Sequence, residues 1–156
     1  MKANDLWLEQ TDRDEQILEA AERILRRKLE RQGKLTEPTS AAAFLRARCA
    51  HRDQEVFGCI FLDTRHAILA VEDLFFGTVD SAEVYPREIV KRALLLNASA
   101  VVAFHNHPSG NPEPSTADRA ITARLKQALE LVEIRLLDHI VVGADGTASL
   151  AMRGWV

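Results

Sequence analysis

Residues Glu55 to Leu62, EVFGCIFL, are apolar at nearly every position after the first, so neither face of an extended segment here is polar. Successive side chains of a strand point to opposite faces, and such a segment therefore needs cover on both. That is the place of a strand inside a sheet with layers packed on either side. Asp63-Thr64-Arg65-His66 turns the chain into a second strand, expected over Ala67 to Glu72, and the two form a hairpin. Leu74-Phe75-Phe76-Gly77-Thr78 is expected to begin a connecting loop with Gly77 at a turn. A second apolar run spans Ala98 to His105 and a third Ile134 to Gly143. Ala144-Asp145-Gly146 then signals a hairpin into a last strand over Thr147 to Met152. Helical periodicity fills the gaps. Pro86 precedes Ile89, Val90, Ala93, Leu94 and Leu96, closing at Asn97, and Ser115 precedes Ala120, Ile121, Leu125, Ala128, Leu129 and Val132. Strands alternating with helices, with hairpins at both ends, predict an α/β (α+β) layered fold around a mixed sheet.

The N-terminal part reads differently. Thr11 to Gln32 predicts an amphipathic helix, with Thr11 and Asp14 as a capping box and Gly33 as its stop. Ile17, Leu18, Ala21, Ile24, Leu25 and Leu29 form one stripe, which needs a partner surface in the domain itself or in a second copy of the chain, a homodimer. Trp7 could anchor either. Arg23, Arg26, Arg27, Lys28 and Arg31 are interleaved with Glu19, Glu22 and Glu30, so that face reads as a solvated one. Gly33 to Pro38 is a polar connector, and Thr39 or Ser40 can cap a second helix through Ala43, Phe44, Leu45 and Ala47. The chain thus divides into residues 1–38, a helix and connector, and 39–156, a domain.

Several classes are disfavoured at once. At 156 residues, 47% hydrophobic and 28% charged, the chain is sized and composed for one folded core. A net charge of −3 gives no global electrostatic reason to bind nucleic acid. No apolar run approaches the roughly 20 residues of a membrane span, and MKANDLWLEQTDRDEQ lacks the apolar centre of a signal peptide, so the cytoplasm is expected. Cys49 and Cys59 sit in apolar sequence and predict buried free thiols.

Chemistry concentrates in FHNHPSGNPEPSTAD, residues 104–118. His105 and His107, two apart on an extended segment, offer two imidazoles side by side. Pro108 ends the pairing, and the Ser109 to Pro114 stretch must swerve. Ser115 opens the following helix, which brings Asp118 back in its first turn. Two imidazoles and a carboxylate match the three-ligand catalytic zinc pattern, with a fourth position for water. A rival reading makes Ser115 and Asp118 a capping box alone. Glu55, taken by itself, is an ordinary polar residue at a strand start. His139 reads as a buried, hydrogen-bonded histidine, Asp138 as an acceptor for a ligating histidine, and His51 and His66 as solvated. Arg87 could hold substrate or brace a loop carboxylate.

The spacing His105-x-His107, seven residues, Ser115, two residues, Asp118 resembles the signature of the JAMM (MPN-plus, or JAB) metalloproteases. The Pro-Ser-Gly-x-Pro-x-Pro-Ser filling, with Gly77-Thr78, Pro86-Arg87 and Leu137-Asp138-His139, is similar to the RadC branch, and the likeness covers about residues 40 to 156. The resemblance implies a curved mixed sheet flanked by helices, related to the cytidine deaminase fold. It implies one zinc held by His105, His107 and Asp118, Glu55 as general base, and Ser115 as donor to the oxyanion; Glu72, at the far end of the hairpin, is the less favoured substitute for Glu55. The expected activity is hydrolysis of a peptide or isopeptide-like amide in a protein substrate. The alternative is a non-catalytic MPN-type binding module associated with DNA repair or nucleic-acid processing. Nucleobase deamination is set aside, because neither His-x-Glu nor Pro-Cys-x-x-Cys occurs.

Overall fold

The structure is a computed structural model that describes residues 3–31, 35, 38–77 and 82–156, without the side chains of 3–8 and 38–40. Its elements are α1 (Ala3–Arg31), α2 (Pro38–Cys49), β1 (Val56–Leu62), β2 (Ile68–Phe76), α3 (Pro86–Leu95), β3 (Ala100–Asn106), α4 (Thr116–Glu130), β4 (Arg135–Gly143) and β5 (Gly146–Ser149). The strands form one five-stranded sheet in the order β2-β1-β3-β4-β5. Among the described residues only β3 and β4 run parallel, and α4 is the crossover that parallel neighbours require. The expected mixed α+β sheet flanked by helices is what forms.

Alternation in the central strands sets the layers. Cys59 and Phe61 of β1, with Val101 and Ala103 of β3, join Ile89 and Ala93 of α3 and Leu125 and Leu129 of α4 in one core. Ile60, Leu62, Val102 and Phe104 point the other way and meet Phe44 and Leu45 of α2 and Leu29 of α1. All seven residues of β1 and all seven of β3 are buried, as a strand covered on both faces must be. Emptying one such large side chain to alanine costs about 3 kcal/mol. Gly58 of β1 lies close against its neighbours, since a Cβ there would lie 2.5 Å from Glu72 O and also run into the Phe104 ring.

Several boundaries differ from the sequence reading. Helix α1 begins at Ala3, so Thr11 lies inside it and is no cap. Leu6 to Gln10 contain no helix breaker, and a Thr-x-x-Asp spacing also fits a helix interior. Its apolar stripe is split: Leu29 is buried and Leu25 packs on the core, while Ile17 and Ile24 are exposed. Helix α2 starts at Pro38, where a fixed φ suits the first helical position, rather than behind Thr39 or Ser40. The stop expected at Gly33 lies outside the described residues. Strand β2 runs on to Phe76, because Phe75 and Phe76 pair with Phe57 and Val56 and Phe75 packs on the core. Strand β5 ends at Ser149, and the chain then turns through Leu150, whose N–H donates to His139 O at 3.0 Å.

Polar links tie the layers together. Arg48 of α2 bonds Glu22 of α1 at 2.5 Å and Asp73 of β2 at 3.0 Å, and Arg52 reaches Asp73 at 3.0 Å. Cys49 and Cys59 are buried free thiols, as expected. His51 is exposed, whereas His66 is half-buried with its Nε2 at 2.9 Å from Arg135.

Candidate metal centre

Strand β3 delivers the first histidine and its exit delivers the second. His105 pairs across from Phe57, whose ring stacks on it at 5.8 Å between centroids and 12° between planes. His107 lies one residue past the strand end, but its N–H still donates to Val142 O at 2.8 Å. The loop beyond is seated on the β4–β5 hairpin. Gly110 N–H donates to His107 O and Asp145 N–H to Gly110 O, both at 3.0 Å, and Gly143 leaves no room for a Cβ against Gly110 O. Arg153 grips Glu113 of the same loop with two bonds, at 2.6 and 2.8 Å. The loop in turn fixes a proton. Asn111 O lies 2.9 Å from His107 Nδ1, and a carbonyl only accepts, so Nδ1 carries the hydrogen and Nε2 of the neutral ring a lone pair.

Helix α4 supplies the carboxylate. Ser115 Oγ accepts from Asp118 N–H at 3.0 Å, and Asp118 Oδ2 accepts from Ser115 N–H at 2.8 Å, a complete capping box. Capping and metal binding are therefore not alternatives. The box aims the carboxylate, placing Oδ1 3.1 Å from His105 Nε2 and Oδ2 3.1 Å from His107 Nε2. The two Nε2 atoms are 2.9 Å apart. Two imidazole nitrogens and a carboxylate thus converge with their lone pairs on one point, and a cation answers all of them at once. His105, His107 and Asp118 offer ligand atoms all within 4.8 Å of one another and could hold a metal ion. Burial alone would raise the Asp118 carboxyl, but the His105 and His107 imidazoles facing it outweigh burial and hold the group below its ordinary range. The facing Asp118 carboxylate in turn raises His107.

A cavity of about 520 Å³ opens on this cluster, walled by Glu55, Phe57, Val84, His107, Ser115 and Asp118. Glu55 is 9% exposed, and burial raises its carboxyl, against the pull of the nearby His105 and a bond from the Ala82 backbone. Its position is set by Asn106, the residue between the two histidines. The fully buried Asn106 accepts from Val56 N–H at 2.7 Å and donates to Gln54 O at 3.1 Å, clamping the segment that carries Glu55 to the strand that carries His105. Glu55, His107, Ser115 and Asp118 line this one cavity, and the buried His105 sits behind them, joined to His107 and Asp118. Glu72 is elsewhere, bonded to Arg92 at 2.6 Å. Among the described residues Arg87 braces no loop carboxylate: its side chain is 88% exposed, with Glu88 at 3.8 Å.

Asn106, Thr122 and His139 are the site's unforeseen members. His139 Nε2 lies 2.7 Å from His105 Nδ1, and His139 Nδ1 lies 2.6 Å from Thr122 Oγ1. Burial, then the charge of His105, holds His139 well below the ordinary imidazole value. It is a buried, bonded histidine as expected, but bonded to a ligand of the candidate centre. Asp138 is not the acceptor behind a ligating histidine. It takes His139 N–H at 2.7 Å, Ala151 N–H at 2.9 Å and Ser149 Oγ–H at 2.6 Å, which organise the turn after β5.

A mixed sheet between helical layers, with a His-His-Asp cluster at one end of its central strand, is the layout of a JAB-type domain. The sequence profile of the RadC-like JAB domain matches residues 35–155, and the chain belongs to that family. It is 58% identical over 139 residues to a UPF0758 protein of Xanthomonas campestris, covering 89% of this chain and 62% of the relative. A UPF0758 protein of Xanthomonas oryzae is 55% identical over 139 residues, again 89% of this chain and 62% of the relative. One of Pseudomonas fluorescens is 51% identical over 140 residues, 90% of this chain and 62% of the relative. The chain therefore spans 62% of the length of these relatives. Among the described residues no helix is long and apolar enough to cross a membrane.

Proposed function

We propose that this chain is a zinc-dependent hydrolase of a peptide or isopeptide-like amide, with the ion held by His105, His107 and Asp118. The observation that carries the reading is the convergence of those three donors beside a cavity walled by His107, Asp118, Glu55 and Ser115. Two nitrogens and one oxygen suit zinc and leave a coordination position open. A zinc ion held there supplies Lewis acidity and brings the pKa of a water toward neutrality.

The remaining work belongs to the chain. Glu55 takes a proton from the attacking water and returns it to the leaving nitrogen as the carbon–nitrogen bond breaks, so the acyl carbon gains hydroxyl and the amine gains hydrogen. Its raised carboxyl suits a base that must hold that proton between the two steps. Ser115 donates to the oxyanion, a contribution of about 3 kcal/mol in a preorganised site. Its role as cap does not prevent this. A hydroxyl has one hydrogen and two lone pairs, and the cap uses only a lone pair to accept from Asp118 N–H. The substrate is accordingly a peptide or protein segment.

The test is metal content by elemental mass spectrometry on wild type and His107→Ala, purified without added metal and again after zinc reconstitution. About one zinc per chain in wild type, lost in the variant, is the expected result, followed by cleavage within a panel of peptide and isopeptide substrates. No metal in either protein overturns the reading and leaves a metal-free MPN-type binding module. Nucleic-acid binding by such a module would show a steep salt dependence.

A further inference from the structure

We propose that His139, held by Thr122, is a positioning residue that locks His105 in the tautomer whose Nε2 lone pair faces His107 and Asp118. Three short contacts carry this. His105 Nδ1 to His139 Nε2 is 2.7 Å, His139 Nδ1 to Thr122 Oγ1 is 2.6 Å, and Thr122 Oγ1 to Asp118 O is 2.6 Å. The direction of the protons follows from the far end. Two oxygens at 2.6 Å need a hydrogen between them, and a backbone carbonyl has none to give, so the Thr122 hydroxyl donates to Asp118 O. Its oxygen must then accept, which places the hydrogen of His139 on Nδ1. His139 Nε2 is left as an acceptor, and His105 Nδ1 must donate to it. His105 Nε2 is thereby stripped of hydrogen and presents a lone pair toward Asp118 Oδ1, 3.1 Å away.

Two other proton patterns are disfavoured by position. A doubly protonated His139 would place a charge on a ring that is 1% exposed, with Phe57 edge-on at 5.2 Å. The fully reversed pattern, Thr122 to His139 to His105, leaves Thr122 Oγ1 and Asp118 O in contact with no hydrogen between them. The relay also runs from one member of the candidate centre to the backbone of another, since Asp118 lies four residues before Thr122 on α4. One helical turn therefore sets both the aim of the Asp118 carboxylate and the tautomer of His105. Partners behind a ligating histidine commonly govern affinity by about 10- to 100-fold.

This inference rests on the metal-site reading for its consequence but not for its first test. Long-range nitrogen–proton NMR of the zinc-free wild type should show His105 and His139 both protonated at Nδ1 and bare at Nε2. His105 protonated at Nε2 would overturn the proposal, whatever metal the protein takes. The second test is zinc affinity by competition with a chromophoric chelator. His139→Leu, which removes the acceptor, should bind about 10- to 100-fold more weakly. His139→Gln, whose side-chain oxygen can accept from His105, should recover most of that loss. Thr122→Val keeps the shape and deletes the hydroxyl, so it should weaken zinc without unfolding the chain even where His139→Leu fails to fold. Wild-type affinity in both Thr122→Val and His139→Leu would overturn the relay. Absence of zinc from the wild type itself would instead overturn the hydrolase reading, with the NMR result still deciding this one.

Discussion

Asp118 and Asp138 are both buried carboxylates beside histidines, yet their surroundings use them in opposite ways. Asp138 is surrounded by groups that give hydrogens to it, among them two backbone N–H groups and the Ser149 hydroxyl. Those bonds close the turn after β5 and leave the carboxylate nothing further to bind. Asp118 has one backbone donor, Ser115 N–H, and otherwise faces two imidazole nitrogens. Since His107 spends its Nδ1 hydrogen on Asn111 O, the neutral ring has none left for Asp118. One acid is finished within the fold, and the other is completed by a cation or a shared proton. Burial of a carboxylate is thus no marker of function. What its neighbours can donate is the marker.

The largest expected effect separates the two acids by what each loses. Asp118→Asn keeps an oxygen for Ser115 N–H and so keeps the cap, but removes the charge. Zinc affinity should fall by about 100-fold or more, while the metal-free protein stays within about 1 kcal/mol of wild type. Calorimetric zinc titration and urea unfolding measure the two halves, and intact zinc affinity would break the comparison. Asp138→Ala should do the reverse. Removing the acceptor strands the N–H groups of His139 and Ala151 where water is scarce, at about 1–3 kcal/mol each, so the fold should lose about 3 kcal/mol or more. Zinc stoichiometry in the folded fraction should be unchanged. Ser115→Ala comes next. It deletes the lone pair that caps α4, for a loss of about 1 kcal/mol, yet turnover should fall about 100-fold through the missing oxyanion donor. A rate loss no larger than the stability loss would confine Ser115 to the cap.

How far residues alone reached into this site depended on sequence distance. His105 and His107 share a strand exit, and Ser115 and Asp118 share a helical turn, so spacing identified them through local geometry. Glu55 needed the resemblance, because its approach to the cluster runs through Asn106 across the β1–β3 pairing. His139 and Thr122 were out of reach for the same reason. Ala103 pairs with His139 in the parallel β3–β4 register, which brings His139 into contact with His105, 34 positions earlier in the chain. No local pattern encodes that offset. Asp138, expected as the acceptor behind a ligating histidine, is not one, because adjacent residues of a strand point to opposite faces and it is His139 that faces His105. The fold's layers were readable from the unbroken apolar runs of β1 and β3, which need cover on both faces. Element ends were not, because how far β2 runs is decided by the pairing of Phe75 and Phe76 with Phe57 and Val56 across the sheet.

The smallest effect should appear where nothing is removed from the packing. Burial raises the Asp138 carboxyl above its ordinary value of 3.8, against the lowering pull of its bonds from Ser149, Ala151 and His139. Between 3.8 and the raised folded value, the folded protein binds more protons at this site than the unfolded chain does. Stability from this group therefore falls as pH rises through that window, is highest below it, and levels off above it. Asp138→Asn removes the titration while retaining an oxygen for the backbone donors and an N–H for Ser149 Oγ. The stability of wild type relative to this variant, from urea midpoints of zinc-free protein across the acid range, should decline with rising pH and then become flat. A relative stability that climbs with pH would mean that the three donors outweigh burial, and Asp138 would then join Asp118 as a carboxylate the fold prefers charged.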